Sequence, residues 1–251
     1  RRLSASFDRM AATVAQAYGA QRAFVADASH QLRNPLTALR LRLSNLDGHV
    51  DPVAQEDQLA ALEEAQRLST LLDGLLALAR AERTAPLVPV DVDAGGDDRI
   101  EAWRPLAEHS GLLLRRDGPR GTRVTATAGA IETLLDAVLD NAVKFTPSGG
   151  SITVTVGAEP EVVEIAVRDT GPGVPPEELE RATDRFWRSP GHNSVDGSGL
   201  GLAIAARTVE LAGGELLLSL PRDGGLRIAA RLPRLRTERD PHEQVAQEAQ
   251  R

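Results

Sequence analysis

The amino-acid sequence predicts an α + α/β protein: a helical hairpin that forms a dimeric four-helix bundle, followed by a two-layer α/β sandwich. Leu and Ala recur at spacings of three and four through the first third of the 251-residue chain, which is typical of amphipathic helices. Strand and helix patterns then come in blocks rather than in strict βαβ alternation, which favours a two-layer sandwich. Aromatic residues are only 3% of the chain, so we expect aliphatic packing, which suits helices.

The helical hairpin is predicted from two runs of apolar residues. Asp47-Gly48 ends the first run, and Asp51-Pro52 opens the second, with Pro just inside the start of a helix. A single hairpin would leave much of its leucine surface exposed, so it either pairs with a second copy or packs on the rest of its own chain. We favour the homodimer, which buries both faces in four helices. The apolar positions are Val25, Ala28, Leu32, Leu36, Leu39, Leu43 and Leu46, then Leu59, Leu62, Ala65, Leu68, Leu72, Leu75 and Ala79.

The second part begins at residues 84–90, where two prolines indicate a linker or an edge strand. Short strands at 112–114 and 123–125 flank a Gly/Pro turn, and Asp223-Gly224-Gly225 marks the turn of a closing hairpin. From Arg234 onward the chain is charged and rich in Gln, which predicts disorder. The remaining predicted elements are helices at 98–110, 129–145 and 200–212, and strands at 151–156, 162–167, 215–219 and 226–232.

The composition excludes several classes of function. The chain has no Cys, which excludes disulfide scaffolds, cysteine zinc sites and thiol catalysis. Its net charge of -7 argues against nucleic-acid binding, because domains that bind nucleic acid are usually basic. No uninterrupted apolar stretch approaches the roughly 20 residues of a membrane span. The chain starts at Arg1 with no signal-peptide pattern, so we expect it to be a piece of a longer protein.

The first candidate site lies on the first helix of the hairpin. His30 and Asn34 are four residues apart and share a helix face, and Pro35 should bend the helix one turn after His30. A neutral imidazole is a competent nucleophile near neutral pH. Taken alone, His30 could equally be an ordinary surface histidine. The other histidines, which lie in predicted turns, helix ends or the tail, are given no catalytic role.

The second candidate site is the segment Asp140-Asn141-Ala142-Val143-Lys144-Phe145 on the predicted helix 129–145. Asn141 and Lys144 are one turn apart and face the same way. An amide oxygen suits Mg²⁺, and a lysine ammonium suits a phosphate. Lys144 is also the only lysine of the chain. In isolation the same residues could be a solvated helix face.

The third candidate site is Asp169-Thr170-Gly171-Pro172-Gly173, which follows the predicted strand 162–167. A carboxylate at the end of a strand can accept a hydrogen bond from an exocyclic amine such as that of adenine. Gly171 and Gly173 would allow the backbone to approach a flat ring closely. The alternative is a plain β-turn.

The fourth candidate site is Gly197-Ser198-Gly199-Leu200-Gly201, which opens a predicted helix. Glycine-rich backbone at the start of a helix presents free N–H groups to phosphates. A Rossmann loop does not fit, since the spacing is not G-x-G-x-x-G and no strand immediately precedes the segment. A Walker A loop does not fit either, because no Lys follows. Before it, Arg185-Phe186-Trp187-Arg188 leads into a polar segment that ends at Asp196 and has the composition of a mobile lid.

Together, in this order and at these separations, the motifs resemble those of the sensor histidine kinases of bacterial two-component systems. The matching segments are 24–36 (H box), 134–146 (N box), 167–175 (G1 box), 184–188 (F box) and 197–203 (G2 box). The resemblance covers roughly residues 1–232. The chain departs from the family pattern at Gln31, where the family usually has an acid, and at Ala137, where it usually has a second Asn.

The resemblance implies four segments and an activity. Residues 1–19 would end a HAMP signalling helix, 20–83 would be the dimerisation and phosphotransfer domain, 84–233 the catalytic ATP-binding domain of the Bergerat type, and 234–251 a tail. The activity would be ATP-dependent autophosphorylation of a histidine and transfer to an Asp of a response regulator receiver domain, with regulator dephosphorylation as a second activity. The chain would then be the cytoplasmic part of a cell-membrane protein, whose sensor region precedes Arg1.

The same resemblance assigns roles to individual residues. His30 would be the phosphoacceptor, with Gln31 and Asn34 as its catalytic neighbours. Asn141 would hold Mg²⁺, and Asp169 would hold adenine. The nucleotide-binding residues it implies are Asn141, Lys144, Phe145, Asp169, Gly171, Gly173, Phe186, Gly197, Gly199, Leu200 and Gly201.

Two other functions remain open at this point. Gln31 cannot take a proton and Ala137 cannot bind a metal, so the chain could be a degenerate kinase that binds ATP and acts as a scaffold or regulator phosphatase. It could also be an ATPase of the gyrase or chaperone type. Ala137 argues against that hydrolysis, because those ATPases activate water with an acid at this position, and the His30 hairpin argues for a kinase.

Overall fold

The computed structural model describes residues 36–39, 41–44, 46, 54–81, 85–192 and 197–235. These residues form two compact units: one contains the residues up to 81 together with 197–200, and the other contains 85–192 and 201–235. The sequence interpretations for residues 1–35, for the helix start at Asp51-Pro52 and for residues 236–251 lie outside the described residues. Within the described part of the chain, no helix is long and apolar enough to cross a membrane.

The first unit contains the long helix α1 (Gln55–Ala81) and helical residues at 36–39 and 41–44. Gln58 is buried, and its Nε2 donates a hydrogen bond to the carbonyl of Leu43 at 2.8 Å. Ala65, seven residues further along α1, is also buried, so the two residues mark one packed stripe. Leu68 and Leu75, again seven apart, are 42% and 37% exposed beside that stripe.

In the second unit, single helices are separated by strands that come mostly in pairs. The first helix, α2 (Val92–His109), carries Pro105 inside it, and two short 3-10 helices lie at Pro176–Arg181 and Pro190–His192. In chain order the elements are β1 (Leu87–Asp91), α2 (Val92–His109), β2 (Leu113–Asp117), β3 (Arg123–Thr127), α3 (Ala130–Phe145), β4 (Ser151–Ala158), β5 (Val162–Asp169), α4 (Gly201–Leu211), β6 (Glu215–Ser219) and β7 (Arg227–Pro233).

The main sheet has five strands in the order β2-β4-β5-β7-β6. The β2–β4 pair is parallel and the other pairs are antiparallel. β1 and β3 form a separate antiparallel ribbon. Alternate residues of the central strands are buried, as a sheet with one face on the core requires. The core between sheet and helices includes Ile152, Val154 and Val156 of β4, Val163, Ile165 and Val167 of β5, and Ile228, Ala230 and Leu232 of β7.

Helix α3 is the centre of the helical layer. Its apolar residues recur every three or four positions and are buried, so one stripe packs into the core. The polar residues Asp140, Asn141 and Lys144 are left outside that stripe. The buried residues are Ala130, Ile131, Leu134, Leu135, Val138, Leu139 and Ala142.

The structure corrects one sequence interpretation of the second unit and adds the partners of two predicted strands. The helix predicted from residue 98 begins at Val92, because Asp91 Oδ1 caps it by accepting from the N–H groups of Asp93 (2.9 Å) and Ala94 (3.2 Å). The strands predicted at 112–114 and 123–125 are present as β2 and β3 on either side of the turn, and they do not pair with each other. β2 pairs with β4, and β3 pairs with β1.

Strands β2 and β3 make further hydrogen bonds with residues outside their own sheets. Arg104 of α2 donates through Nη1 to the carbonyl of Leu114, on the outer strand β2, at 3.1 Å. Arg234 bridges Val124 of β3, and the N–H of Leu235 donates to the carbonyl of Arg123 at 3.0 Å. The first two residues of the predicted tail are therefore paired, because backbone pairing does not require apolar side chains.

Candidate functional site

Asp169 is the last residue of β5 and is only 4% exposed. The predicted strand ended two residues earlier, so the candidate carboxylate belongs to the sheet rather than to the turn. Its Oδ1 accepts hydrogen bonds from the N–H groups of Gly171 (2.8 Å) and Leu226 (3.2 Å). Its Oδ2 makes no hydrogen bond with the described residues and can accept one from a ligand.

Burial raises the pKa of the Asp169 carboxyl above its ordinary value. The hydrogen bonds from Gly171 and Leu226 and the charge of Arg168 act in the opposite direction, but the cost of desolvating the charge is larger. A buried acceptor of this kind suits a donor that is fixed in place, such as the amine of an aromatic ring.

The backbone around Asp169 is packed so closely that only glycine fits at two positions. A Cβ on Gly171 would lie 2.7 Å from the carbonyl oxygen of Phe145, and one on Gly225 would lie 1.9 Å from that of Asp169. Gly173 has a φ of +68° and faces the carbonyl of Gly225. The third motif is therefore held between the end of α3 and the β6–β7 turn.

The second motif lies in the last two turns of α3. The Asn141 side chain is half-buried and makes no hydrogen bond within the described part of the chain. Its oxygen therefore remains available as a hard donor, which is the kind that Mg²⁺ prefers. Lys144 Nζ donates to Asp140 Oδ2 at 2.7 Å. Phe145, the last residue of α3, contacts the third motif through its carbonyl, so the structure brings these two motifs together.

The fourth motif is divided between the two units. α4 begins at Gly201, where a Cβ would lie 3.5 Å from the carbonyl oxygen of Ala137 on α3. The start of α4 is therefore beside the helix that carries Asn141. Residues 197–200 fall in the first unit, and there Leu200 N donates to Ser198 Oγ at 3.3 Å. Gly199 has a φ of +66°, which glycine tolerates without strain.

The predicted lid is described up to His192. Phe186 is 54% exposed and has a φ of +64°, the only positive φ of a non-glycine residue in the described ranges. Such a conformation is strained for an aromatic residue and often marks a functional segment. Ser189 is buried, and residues Pro190–His192 form a 3-10 turn. Residues 193–196 lie outside the description, as do His30, Gln31 and Asn34.

Sequence reasoning missed two contributors to this site. The N–H of Leu226 helps to fix Asp169 although the residues are 57 positions apart, and Gly225 allows the close approach of the two backbones. The sequence did predict a turn at Asp223-Gly224-Gly225, but a turn pattern carries no sign of its long-range partner. Asp140, the ion-pair partner of Lys144, was part of the second motif but was given no role.

The assembled groups are suited to a ligand with an amine-bearing ring and an anionic tail. Asp169 offers a buried acceptor, Lys144 a cation, Asn141 an amide without a hydrogen bond to any other described residue, and Gly201 a helix start. Among the described residues, no group of three or more His, Cys, Asp or Glu side chains could hold a metal ion by itself.

Two protein families match consecutive parts of the chain. Residues 20–84 match the His Kinase A (phospho-acceptor) domain. Residues 126–236 match the family described as Histidine kinase-, DNA gyrase B-, and HSP90-like ATPase.

Individual relatives match over most of the chain. It is 32% identical over 254 residues to the signal transduction histidine-protein kinase BaeS of Escherichia coli (strain K12), an alignment that covers 97% of this chain and 53% of BaeS. It is 35% identical over 237 residues to the histidine-protein kinase/phosphatase MprB of Mycolicibacterium paratuberculosis, covering 89% of this chain and 44% of MprB. The chain thus spans about half the length of these relatives.

Solved structures agree with these matches. The mycobacterial sensor histidine kinase MprB is 30% identical, with a TM-score of 0.53 over 60% of this chain and 99% of that one. Full-length ShkA in complex with AMPPNP is 26% identical, with a TM-score of 0.64 over 85% of this chain and 46% of ShkA. The chain therefore belongs to the sensor histidine kinases of bacterial two-component systems.

Proposed function

We propose that this chain binds ATP in its second unit and uses it to phosphorylate His30. The observation that carries the nucleotide assignment is Asp169, a buried carboxylate whose Oδ1 is fixed by two backbone N–H groups and whose Oδ2 is left for an exocyclic amine. Adenine carries such an amine, whereas the same position of guanine is a carbonyl that would repel the carboxylate. Gly171 and Gly173 would allow the ring to approach the backbone, with Phe145 and Phe186 beside it.

The phosphates would then extend toward α3 and the start of α4. Lys144 would bind them with its ammonium group, and the backbone of Gly197, Gly199, Leu200 and Gly201 would donate N–H groups to them. Asn141 Oδ1 would hold Mg²⁺, which would neutralise phosphate charge when bound. The Asn141 amide, which is half-buried and has no hydrogen-bond partner among the described residues, fits this role.

His30 would supply the nucleophile. Its imidazole lone pair would form a bond to the γ-phosphorus while the bond from that phosphorus to the bridging oxygen breaks, so that ADP leaves with the electron pair. The remaining ring N–H proton would leave afterwards to water or phosphate. Gln31 can orient the imidazole through its amide oxygen but cannot accept this proton. Catalysis would rest mainly on positioning and charge neutralisation.

The phosphoryl group would pass from His30 to an Asp of a response regulator. Asn34, one turn further along, would orient the water that removes phosphate from that regulator. We further propose that residues 20–83 dimerise, that 84–233 form the ATP-binding domain, and that a membrane sensor region precedes the HAMP-like residues 1–19. The exposed Leu68 and Leu75 support dimerisation, because the hairpin stripe leaves them uncovered within the first unit.

Mass mapping after incubation with ATP and Mg²⁺ tests the kinase assignment. We expect phosphohistidine at His30 in the wild-type chain and none in His30→Gln. Asn34→Ala is the matched variant, since it should keep the label on His30 but slow the dephosphorylation of an added phosphorylated regulator. Wild-type protein that binds ATP but yields no phosphohistidine at saturating ATP would contradict the kinase assignment.

One observation favours a second candidate function, that of a degenerate kinase. One turn before Asn141 the helix carries Ala137, so no side-chain ligand supports the metal there. Together with Gln31 beside His30, Ala137 favours a scaffold that binds ATP and acts mainly as a regulator phosphatase. The same mass experiment separates the two functions, because a scaffold would bind ATP and remain unlabelled.

A further inference from the structure

Lys144 is engaged by a neighbouring carboxylate on its own helix. Its Nζ lies 2.7 Å from Asp140 Oδ2, and the two side chains are 33% and 45% exposed. The residues are four apart with the acid first, which is the favourable order for a helical ion pair. Asn141 follows Asp140 directly, so the ion pair adjoins the amide proposed to hold the metal.

The identity of the cation bears on how easily this pair can open. Lys144 is the only lysine among the 29 Lys and Arg residues of the chain. A lysine ammonium is a single point charge on a flexible stem and can move from one anion to another. An arginine at the same position could bind the Asp140 carboxylate with two parallel hydrogen bonds. Its ion pair with Asp140 would then be harder to break.

We propose that Asp140 is a positioning residue that holds Lys144 when no nucleotide is bound and competes with the phosphates for it. This inference rests on the proposed nucleotide function and adds a determinant of affinity to that site. Binding of a polyphosphate exchanges the carboxylate partner of Lys144 for a phosphate, which leaves the negative charge of Asp140 unpaired near the nucleotide. Asp140 therefore lowers affinity in proportion to the phosphate charge.

The dependence of this effect on the phosphate charge of the ligand distinguishes the proposed role of Asp140 from a purely structural one. Adenosine has the ring but no phosphate, so it does not disturb the ion pair. ADP and ATP carry increasing negative charge and disturb it increasingly. A role of Asp140 in holding the fold would change the affinity for all three ligands alike.

Calorimetric titration of Asp140→Asn with adenosine, ADP and ATP tests the proposal. Asparagine has nearly the same shape without the charge. We expect ATP to bind about three- to ten-fold more tightly than to wild type, ADP to gain less and adenosine to be unchanged, as expected for removing one charge from an exposed site. Asp136→Asn is the matched control, since Asp136 lies one turn earlier on α3 and pairs with Arg99 and Trp103. It should leave the affinities for all three ligands unchanged.

A second pair of variants tests the exchange itself. Lys144→Arg should bind ATP more weakly than wild type, because the guanidinium stays on Asp140. Adding Asp140→Asn to Lys144→Arg should recover most of that loss. Additive effects in this double-mutant cycle would overturn the proposal, because independent residues do not couple.

Two results distinguish failure of this inference from failure of the proposed function. If wild type binds ATP and Asp140→Asn changes adenosine and ATP affinity equally, or weakens ATP binding, the inference is wrong and the nucleotide site stands. If wild type binds none of the three ligands, the proposed function is wrong and the inference falls with it.

Discussion

Gly225 lies so close to Asp169 that a Cβ on it would be 1.9 Å from the Asp169 carbonyl oxygen. The contact joins the β6–β7 turn to the end of β5, and the adjacent N–H of Leu226 donates to the Asp169 carboxylate. The position of the candidate adenine acceptor therefore depends on a turn more than fifty residues away along the chain.

Gly225→Ala should lower both stability and nucleotide affinity. An alanine at a φ of +84° costs about 1–2 kcal/mol in backbone strain, and the clash with Asp169 adds to that cost. Gly121→Ala is the control: its φ is +77° but nothing lies within 4 Å of its added Cβ. We expect denaturant unfolding to show a larger loss for Gly225→Ala. Equal losses in the two variants would show that the contact with Asp169 has no energetic effect.

Asp169→Asn should weaken ATP binding and, at neutral pH, stabilise the nucleotide-free protein. Loss of a hydrogen bond to a charged group costs about 1.5–3 kcal/mol, which is roughly ten-fold or more in affinity. The gain in stability follows from the raised pKa of Asp169 in the folded state. The Asp169 carboxyl contributes fully to stability only below its unfolded pKa of about 3.9, where it is protonated in the folded and the unfolded state. That contribution is lost as the pH rises through the folded pKa, because the charged form is buried.

Thermal melts at several pH values check this second effect. The advantage of Asp169→Asn over wild type should be largest near pH 7 and shrink as the pH falls toward about 4. A wild-type protein that is more stable than Asp169→Asn at pH 7 would contradict the cost of desolvation assigned to this carboxylate.

Leu68→Glu should shift the chain from dimer to monomer. Leu68 is 42% exposed on α1, and burying a carboxylate without a partner in the proposed interface is costly. Sedimentation at micromolar concentration should give twice the 26.8 kDa chain mass for wild type and a lighter species for the variant. Glu63→Gln, at an exposed polar position of the same helix, should remain dimeric. If the wild-type chain is a monomer under these conditions, the proposed dimerisation is wrong.

Gln31→Glu should label His30 faster than wild type. General base catalysis contributes about 10²–10⁴-fold, but the neutral imidazole already has a free lone pair and can lose its proton after transfer. The gain should therefore lie at or below the lower end of that range. Initial rates of phosphohistidine formation measure it, and an unchanged rate would show that the missing carboxylate does not limit transfer.

The sequence predicted correctly those helices and strands whose formation depends on residues close together in the chain. The three-and-four spacing of α3 and the alternation of β4 and β5 each follow from one buried face. The start of α2 was predicted six residues late, because the cap at Asp91 was not recognised. The partners of β2 and β3 were also not predictable, since strand pairing is decided by the whole sheet.

The candidate site shows the same difference between local patterns and long-range contacts. Asp169, Asn141 and Lys144 could be singled out because glycine spacing and helix spacing are local signals. The two hydrogen bonds that fix Oδ1 of Asp169 and the ion pair of Lys144 depend on tertiary placement and side-chain conformation. A sequence names the residue types that a site needs, whereas their competing partners appear only in three dimensions.

The hydrogen bond from Arg104 to the Leu114 carbonyl has a consequence for the behaviour of the protein at high concentration. β2 is an outer strand, and an outer strand with free backbone groups is a template for aggregation with other chains. Arg104 occupies one of those groups and places a charged side chain beside the strand, while its Nε and Nη2 each donate a hydrogen bond to the Glu101 carboxylate. We therefore expect this contact to disfavour edge-to-edge association of β2 with another chain.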